Sequence, residues 1–181
     1  YFEDYKIPRD RRKLWCYIVA TSRIAIDTPG INNRVLAMDV FQRGGSGVLM
    51  WESFGWDHLY GGSMDPWKDP YTRHANGSLA FFYPPRRSPG SKKADFTITP
   101  SLRLATFRES VDDFEYARIL EDLVKAGRKK SVDTAKAERA LSDIRRFFPQ
   151  NTNWSQNDAW FLELRDRMAR QIVALRARLD G

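Results

Sequence analysis

The chain has one cysteine, two histidines and no long apolar run, and each shortage removes a class of explanation. A single thiol cannot pair within the chain, so a disulfide scaffold is excluded, and Cys16, between Trp15 and Tyr17, is expected to pack as a small buried hydrophobe. His58 and His74 stand alone in loop-like sequence. Asp57 and Asp65 lie near His58, but no spacing aims these side chains at one ion, so neither a metal nor a cofactor is expected. Glycine-rich phosphate loops, nucleophile elbows and the helical His-Glu-x-x-His motif are also missing. No stretch reaches the roughly 20 apolar residues of a membrane helix, and residues 1–5 lack the charged start and apolar core of a signal peptide, so no membrane partner is expected.

The charge is basic but unfocused. The formal net charge of +7 is spread along the chain, with 14 basic against 10 acidic residues in 1–100 and 16 against 13 in 101–181. The clusters 9–13, 86–93 and 128–130 are short, and two of them sit in connecting stretches. They read as solvated loops, and nucleic acid is not an expected partner.

What is present is enough apolar and aromatic material for a core, 42% and 13% of the residues. Leu14 to Ala20 is a continuous β-branched and aromatic run, which predicts a strand buried on both faces, with Trp15 in the core. Thr28-Pro29 predicts a helix start, Ile31, Val35 and Met38 continue at helical spacing, and Gly44-Gly45 stops it. Gly47 to Trp51 predicts a second strand. Strand, helix, strand is the unit of a parallel sheet or barrel.

From Glu52 to Asn76 the composition turns to aromatic, Gly, Pro and Asp without periodicity, which predicts a long loop of the kind that carries function. Leu79 to Tyr83 is a third strand candidate. Thr99-Pro100 repeats the helix-start signal, and Leu104, Phe107, Val111, Phe114, Leu120 and Leu123 mark an apolar stripe that Gly127 is expected to close. Ser131 is expected to cap a further helix striped by Ala137, Leu141, Ile144 and Phe148 and ended by Pro149. Ser155-x-x-Asp158 begins the last, with Phe161, Leu164, Met168, Ile172, Leu175 and Leu179 on one face. The last third thus reads as a helical hairpin.

Chemistry concentrates in the aromatics. Trp15, Tyr17, Trp51, Phe54, Trp56, Trp67 and Tyr71 fall in or after the first two strands, interleaved with Asp, Glu, Asn and His. Sugars need that combination, because their C–H faces stack on indoles while their hydroxyls seek convergent polar groups. Glu52, directly after Trp51, is a candidate hydroxyl acceptor or general acid/base, although glycoside hydrolysis normally takes two carboxylates.

An ordered series of motifs from residue 13 to 124 adds a family likeness. Trp15-Cys-Tyr17, Asp27-Thr-Pro29, Arg34, Gly47-Val-Leu-Met-Trp51, Trp56, Asp65-Pro-Trp67, Asn76-Gly77, Tyr83-Pro84, Ser101-Leu-Arg-Leu104 and Arg108-Glu-Ser-Val-Asp-Asp-Phe-Glu-Tyr116 resemble the C-terminal half of the glycoside hydrolase family 123 catalytic domain, also known as domain-of-unknown-function family 4091. The resemblance implies an α/β fold, the C-terminal part of a (β/α)8 TIM-type barrel over residues 1–127, followed by a helical extension over 128–181. A complete barrel needs about 250 residues, so this would be a piece of one.

It further implies a retaining, substrate-assisted β-N-acetylgalactosaminidase, extracellular or periplasmic, acting on an N-acetylhexosamine-type glycan. In such enzymes an adjacent Asp-Glu pair on an earlier barrel strand does the acid chemistry, and no residues here match it. Asp112-Asp113 is no substitute, since it falls within a helix. The expected substrate-binding set is Tyr17, Trp51, Glu52 and Trp56, with the catalytic residues outside the chain. The alternative is a non-catalytic carbohydrate-binding or interaction module that uses the same aromatics.

Overall fold

A computed structural model describes residues 14–19, 24–51, 53–56, 66–72, 75–77, 80–85, 98–149 and 153–181. The chain mixes helix with small sheets, and among the described residues no closed barrel forms. In order, the elements are β1 (Trp15–Val19), α1 (Ile31–Arg34), α2 (Leu36–Gln42), β2 (Gly47–Trp51), β3 (Tyr71–Thr72), β4 (Ala75–Asn76), β5 (Phe82–Tyr83), β6 (Thr99–Pro100), α3 (Leu102–Lys129), α4 (Ala135–Phe147) and α5 (Asp158–Asp180). Two compact units divide them. One comprises residues 1–15, 35–47 and 110–181, and the other 16–34 and 48–109. α3 runs unbroken through Gly127.

The first unit is a helical bundle. Arg165 meets Asp113 and Lys130 donates to the Leu179 carbonyl, so α5 runs in the direction of α3. Asp133 accepts from Arg178, Asp143 pairs with Arg167, and Phe147 meets Phe161, so α4 runs back against α5. The hairpin predicted for the last third is therefore present, with α3 as a third helix. Phe161, Leu164, Met168, Ile172 and Leu175 are all buried, as their spacing demands. Each such side chain contributes roughly 1.5–3 kcal/mol of hydrophobic stabilisation.

The face that α3 buries overlaps the predicted one at Leu120 but is centred elsewhere. Ser110, Asp113, Ala117, Leu120, Val124 and Gly127 repeat at alternating three- and four-residue steps and are buried. Val111, on the predicted stripe, is 40% exposed. The buried seam uses small and polar residues, and two of the polar ones are answered from other helices. The Ser110 hydroxyl accepts from the Ala37 N–H of α2 at 2.9 Å, and the fully buried Asp113 carboxylate takes Arg165 at 2.7 Å while that guanidinium lies 5.0 Å from the Tyr116 ring centre.

Helix ends also fall elsewhere than predicted. Gly127 lies inside the helix and does not close it, and glycine suits the position because a Cβ there would come within 2.7 Å of Thr134 Cγ2. Ser131, expected to begin α4, instead ends α3. It takes a left-handed φ of 57°, Val132 N–H donates to the Gly127 carbonyl, and Ser131 N–H donates to the Arg128 carbonyl, which is the paired-bond termination that usually places glycine at that site. Ser101, not Thr99, accepts from Leu104 N–H at the start of α3, since Thr99 and Pro100 are used as strand. Asn157, not Ser155, caps α5 by accepting from Trp160 N–H at 3.0 Å.

The second unit is built from very short pairings. β1 and β2 are neighbours in a two-stranded sheet. β3 pairs antiparallel with β4, and β5 with β6. The predicted third strand is cut down to Phe82–Tyr83, with Ala80 bridging Phe54. Along β1, Cys16 is buried as expected, but Tyr17 is 48% exposed and Trp15 is 57% exposed, so over Trp15–Tyr17 one face is covered and the other open. That overturns the expectation of a strand buried on both faces and of Trp15 in the core.

Candidate functional site

The second unit gathers three aromatic rings. Tyr83 stacks on Trp56 with ring centres 5.1 Å apart and on Trp67 at 4.9 Å, each at an interplanar angle of 29°. Both indole N–H groups are spent on backbone carbonyls near Tyr83, Trp56 donating to Phe82 at 2.6 Å and Trp67 to Pro84 at 3.2 Å. These bonds fix the ring planes. The stack places a rigid apolar surface at the end of β5, and its two indoles differ sharply in access. Trp56 is 4% exposed and Trp67 39%.

Beneath the stack, Arg103 ties the first turn of α3 to two loops. Its guanidinium is buried and donates to the Ile24 carbonyl at 3.1 Å and to the Gly77 carbonyl. Burial pushes this guanidinium down from its ordinary value, and the neighbouring Tyr83 phenol opposes the shift. Gly77 has φ +63°, and a Cβ there would meet Arg103 Nη2 at 2.8 Å, so glycine is required for the approach. One residue earlier, Asn76 donates to Asp27, and the Asn76 carbonyl accepts from Ile26 N–H at 2.8 Å. A single clamp of Arg103, Asn76 and Asp27 thereby holds the loops around residues 24–27 and 75–77 against the helix start.

Of the expected sugar-binding residues, the structure places Trp56 inside the stack as a buried support. Tyr17 is accessible, but among the described residues no ring contact joins it to the stack. The Trp51 side chain and all of Glu52 lie outside the described residues, as do Asp57, His58, Asp65 and His74. Among the described residues no three His, Cys, Asp or Glu side chains gather as a metal site would need. No described helix is long and apolar enough to cross a membrane.

Two members of the cluster were visible in the sequence without being assigned to a site. Trp67 belonged to the aromatic-rich stretch, and Tyr83 ended a strand. Their signal was proximity to proline: Trp67 lies in a turn between Pro66 and Pro70, and Tyr83 ends β5 just before Pro84. The Arg108–Tyr116 motif is structural here. Glu109 pairs with Arg34 at 3.7 Å and with Arg108 at 3.4 Å, and Asp113 is sealed in the bundle.

Comparison with known proteins adds no relative. No family model matches the chain, and no curated protein matches it.

Proposed function

We propose that the chain is the C-terminal part of a glycoside hydrolase of the family 123 kind. It supplies sugar-binding aromatic surface, while the acid-base Asp-Glu pair belongs to preceding barrel strands. The observation that carries this reading is the Trp56–Tyr83–Trp67 stack. Three rings held in register by two indole hydrogen bonds present one partly exposed indole, and such a surface loses little side-chain freedom when a pyranose settles on it. The order β1, α1–α2, β2, with β1 and β2 as sheet neighbours, supports the barrel part of the reading, because a crossover helix between adjacent strands is the barrel's repeating unit.

Within this reading Trp67 takes the stacking role and Trp56 holds it in place from below. The substrate class is an N-acetylgalactosamine-containing glycan. The chain alone binds it and does not cleave it, since the protonating residue is elsewhere.

Calorimetric titration with N-acetylgalactosamine tests this. Wild type is expected to bind, Trp67→Ala to lose about tenfold or more in affinity, and Trp67→Phe to retain part of it, since a flat ring survives. Absence of binding by wild type, or equal binding by Trp67→Ala, contradicts the reading, and so does hydrolysis of an aryl N-acetylgalactosaminide by the chain itself.

A further inference from the structure

The bundle carries a charged groove that the aromatic site does not use. Along α4, Lys136, Arg139, Asp143 and Arg146 recur at three- and four-residue steps and so share one stripe, about 15 Å long at 1.5 Å per residue. With Arg167 and Gln171 of α5 they line a groove of about 480 Å³. Its lining holds four cations and one carboxylate, Asp143. Asp143 takes Arg167 at 2.7 Å and Arg146 at 3.2 Å. Glu163 approaches Arg167 only to 3.9 Å, and Glu138, on the adjoining row of α4, is committed to Arg128 at 3.0 Å. Lys136 and Arg139 pair with no carboxylate among the described residues.

We propose that this groove binds an anionic polysaccharide through its sulfate or carboxylate groups. Arg146 and Arg167 meet at Asp143, while Lys136 and Arg139 extend the array along α4 without a carboxylate, and such an extended array suits a polymer better than a single ion. Three of the four are arginines, whose planar forks match sulfate and carboxylate oxygens in pairs. No aromatic side chain lines the groove, so it offers nothing for a nucleobase to stack on. The choice of a glycan among polyanions rests on the sugar-binding reading of the aromatic stack, and the proposal adds the charge of the polymer.

The test uses the full chain and a fluorescently labelled heparin oligosaccharide, followed by anisotropy at low ionic strength. Wild type is expected to bind, with affinity that falls as salt is added. The Lys136→Glu, Arg139→Glu double variant is expected to bind about tenfold or more weakly with an unchanged helical circular dichroism spectrum, since both side chains are exposed. The single variant Trp67→Ala should keep heparin binding, so loss of the aromatic site and loss of the groove are read separately. Three results overturn the proposal: no heparin binding by wild type, equal binding by the double variant, or a DNA duplex binding as tightly as heparin.

Discussion

In the helical unit, burial follows periodicity. Five apolar residues of α5 and four of α4 face inward at regular steps, and the polar exceptions in the seam, Ser110 and Asp113, each meet a partner on another helix. In the other unit burial follows ring packing and single anchors. Its antiparallel ladders, β3–β4 and β5–β6, are two residues long, and around them stand Tyr83 between two indoles and Arg103 bonded to two carbonyls. A periodic pattern distributes stability over many similar contacts, whereas anchors concentrate it in a few side chains. The second arrangement leaves Trp67, ordered by its stack on Tyr83, partly facing water.

The contrast can be broken most severely at Phe147. This fully buried ring touches Phe148, Trp160 and Phe161, and Phe147→Ala is expected to cost about 3–5 kcal/mol in urea denaturation. Next comes Arg165→Met, which leaves the Asp113 carboxylate buried without its guanidinium and should cost about 3 kcal/mol. A smaller but sharper test sets Ala117→Leu against Val111→Ala. Overfilling the seam at the fully buried Ala117 should cost about 1–3 kcal/mol, while trimming the exposed Val111 should stay within about 0.5 kcal/mol. The reverse order would restore the stripe first read from the sequence.

The smallest effect is pH-dependent. The Arg128 guanidinium, and after it the Thr134 hydroxyl, hold the Glu138 carboxyl below its ordinary value of 4.5. Because the folded value is the lower one, the contribution is complete above the unfolded value and disappears as pH falls through the folded one. The stability margin of wild type over Glu138→Gln should therefore be present at neutral pH and vanish in acid. A margin that grows on acidification would contradict the assignment. The groups are exposed, so the change is modest.

Much of the helical unit was legible in the sequence. The α4 and α5 stripes hold, at Ala137, Ile144, Phe161, Leu164 and Met168 among others. The α3 face is legible at Leu120 and not beyond it, because counting large apolar residues selects Val111 and Leu123, whereas close helix approach favours Ser110, Ala117 and Gly127, and a buried Asp113 is intelligible only once Arg165, 52 residues later, is seen beside it. The helix ends were misread for a related reason. Ser131 and Thr99 carry side chains suited to capping, but the backbone of Ser131 closes α3 and that of Thr99 pairs with Tyr83. In the aromatic unit the composition pointed to stacked rings, yet which indole would be covered depended on the Phe82 and Pro84 carbonyls, and no local pattern encodes those.

The most direct test is a nitrogen-proton correlation spectrum recorded while N-acetylgalactosamine is added. The indole N–H signal of Trp67 should move most, that of Trp56 should follow to a lesser degree through Tyr83, and Trp154 and Trp160 in the helical unit should stay still. Unmoved Trp67 with shifts confined to the bundle, or no shift anywhere, would contradict the placement of a sugar on this stack.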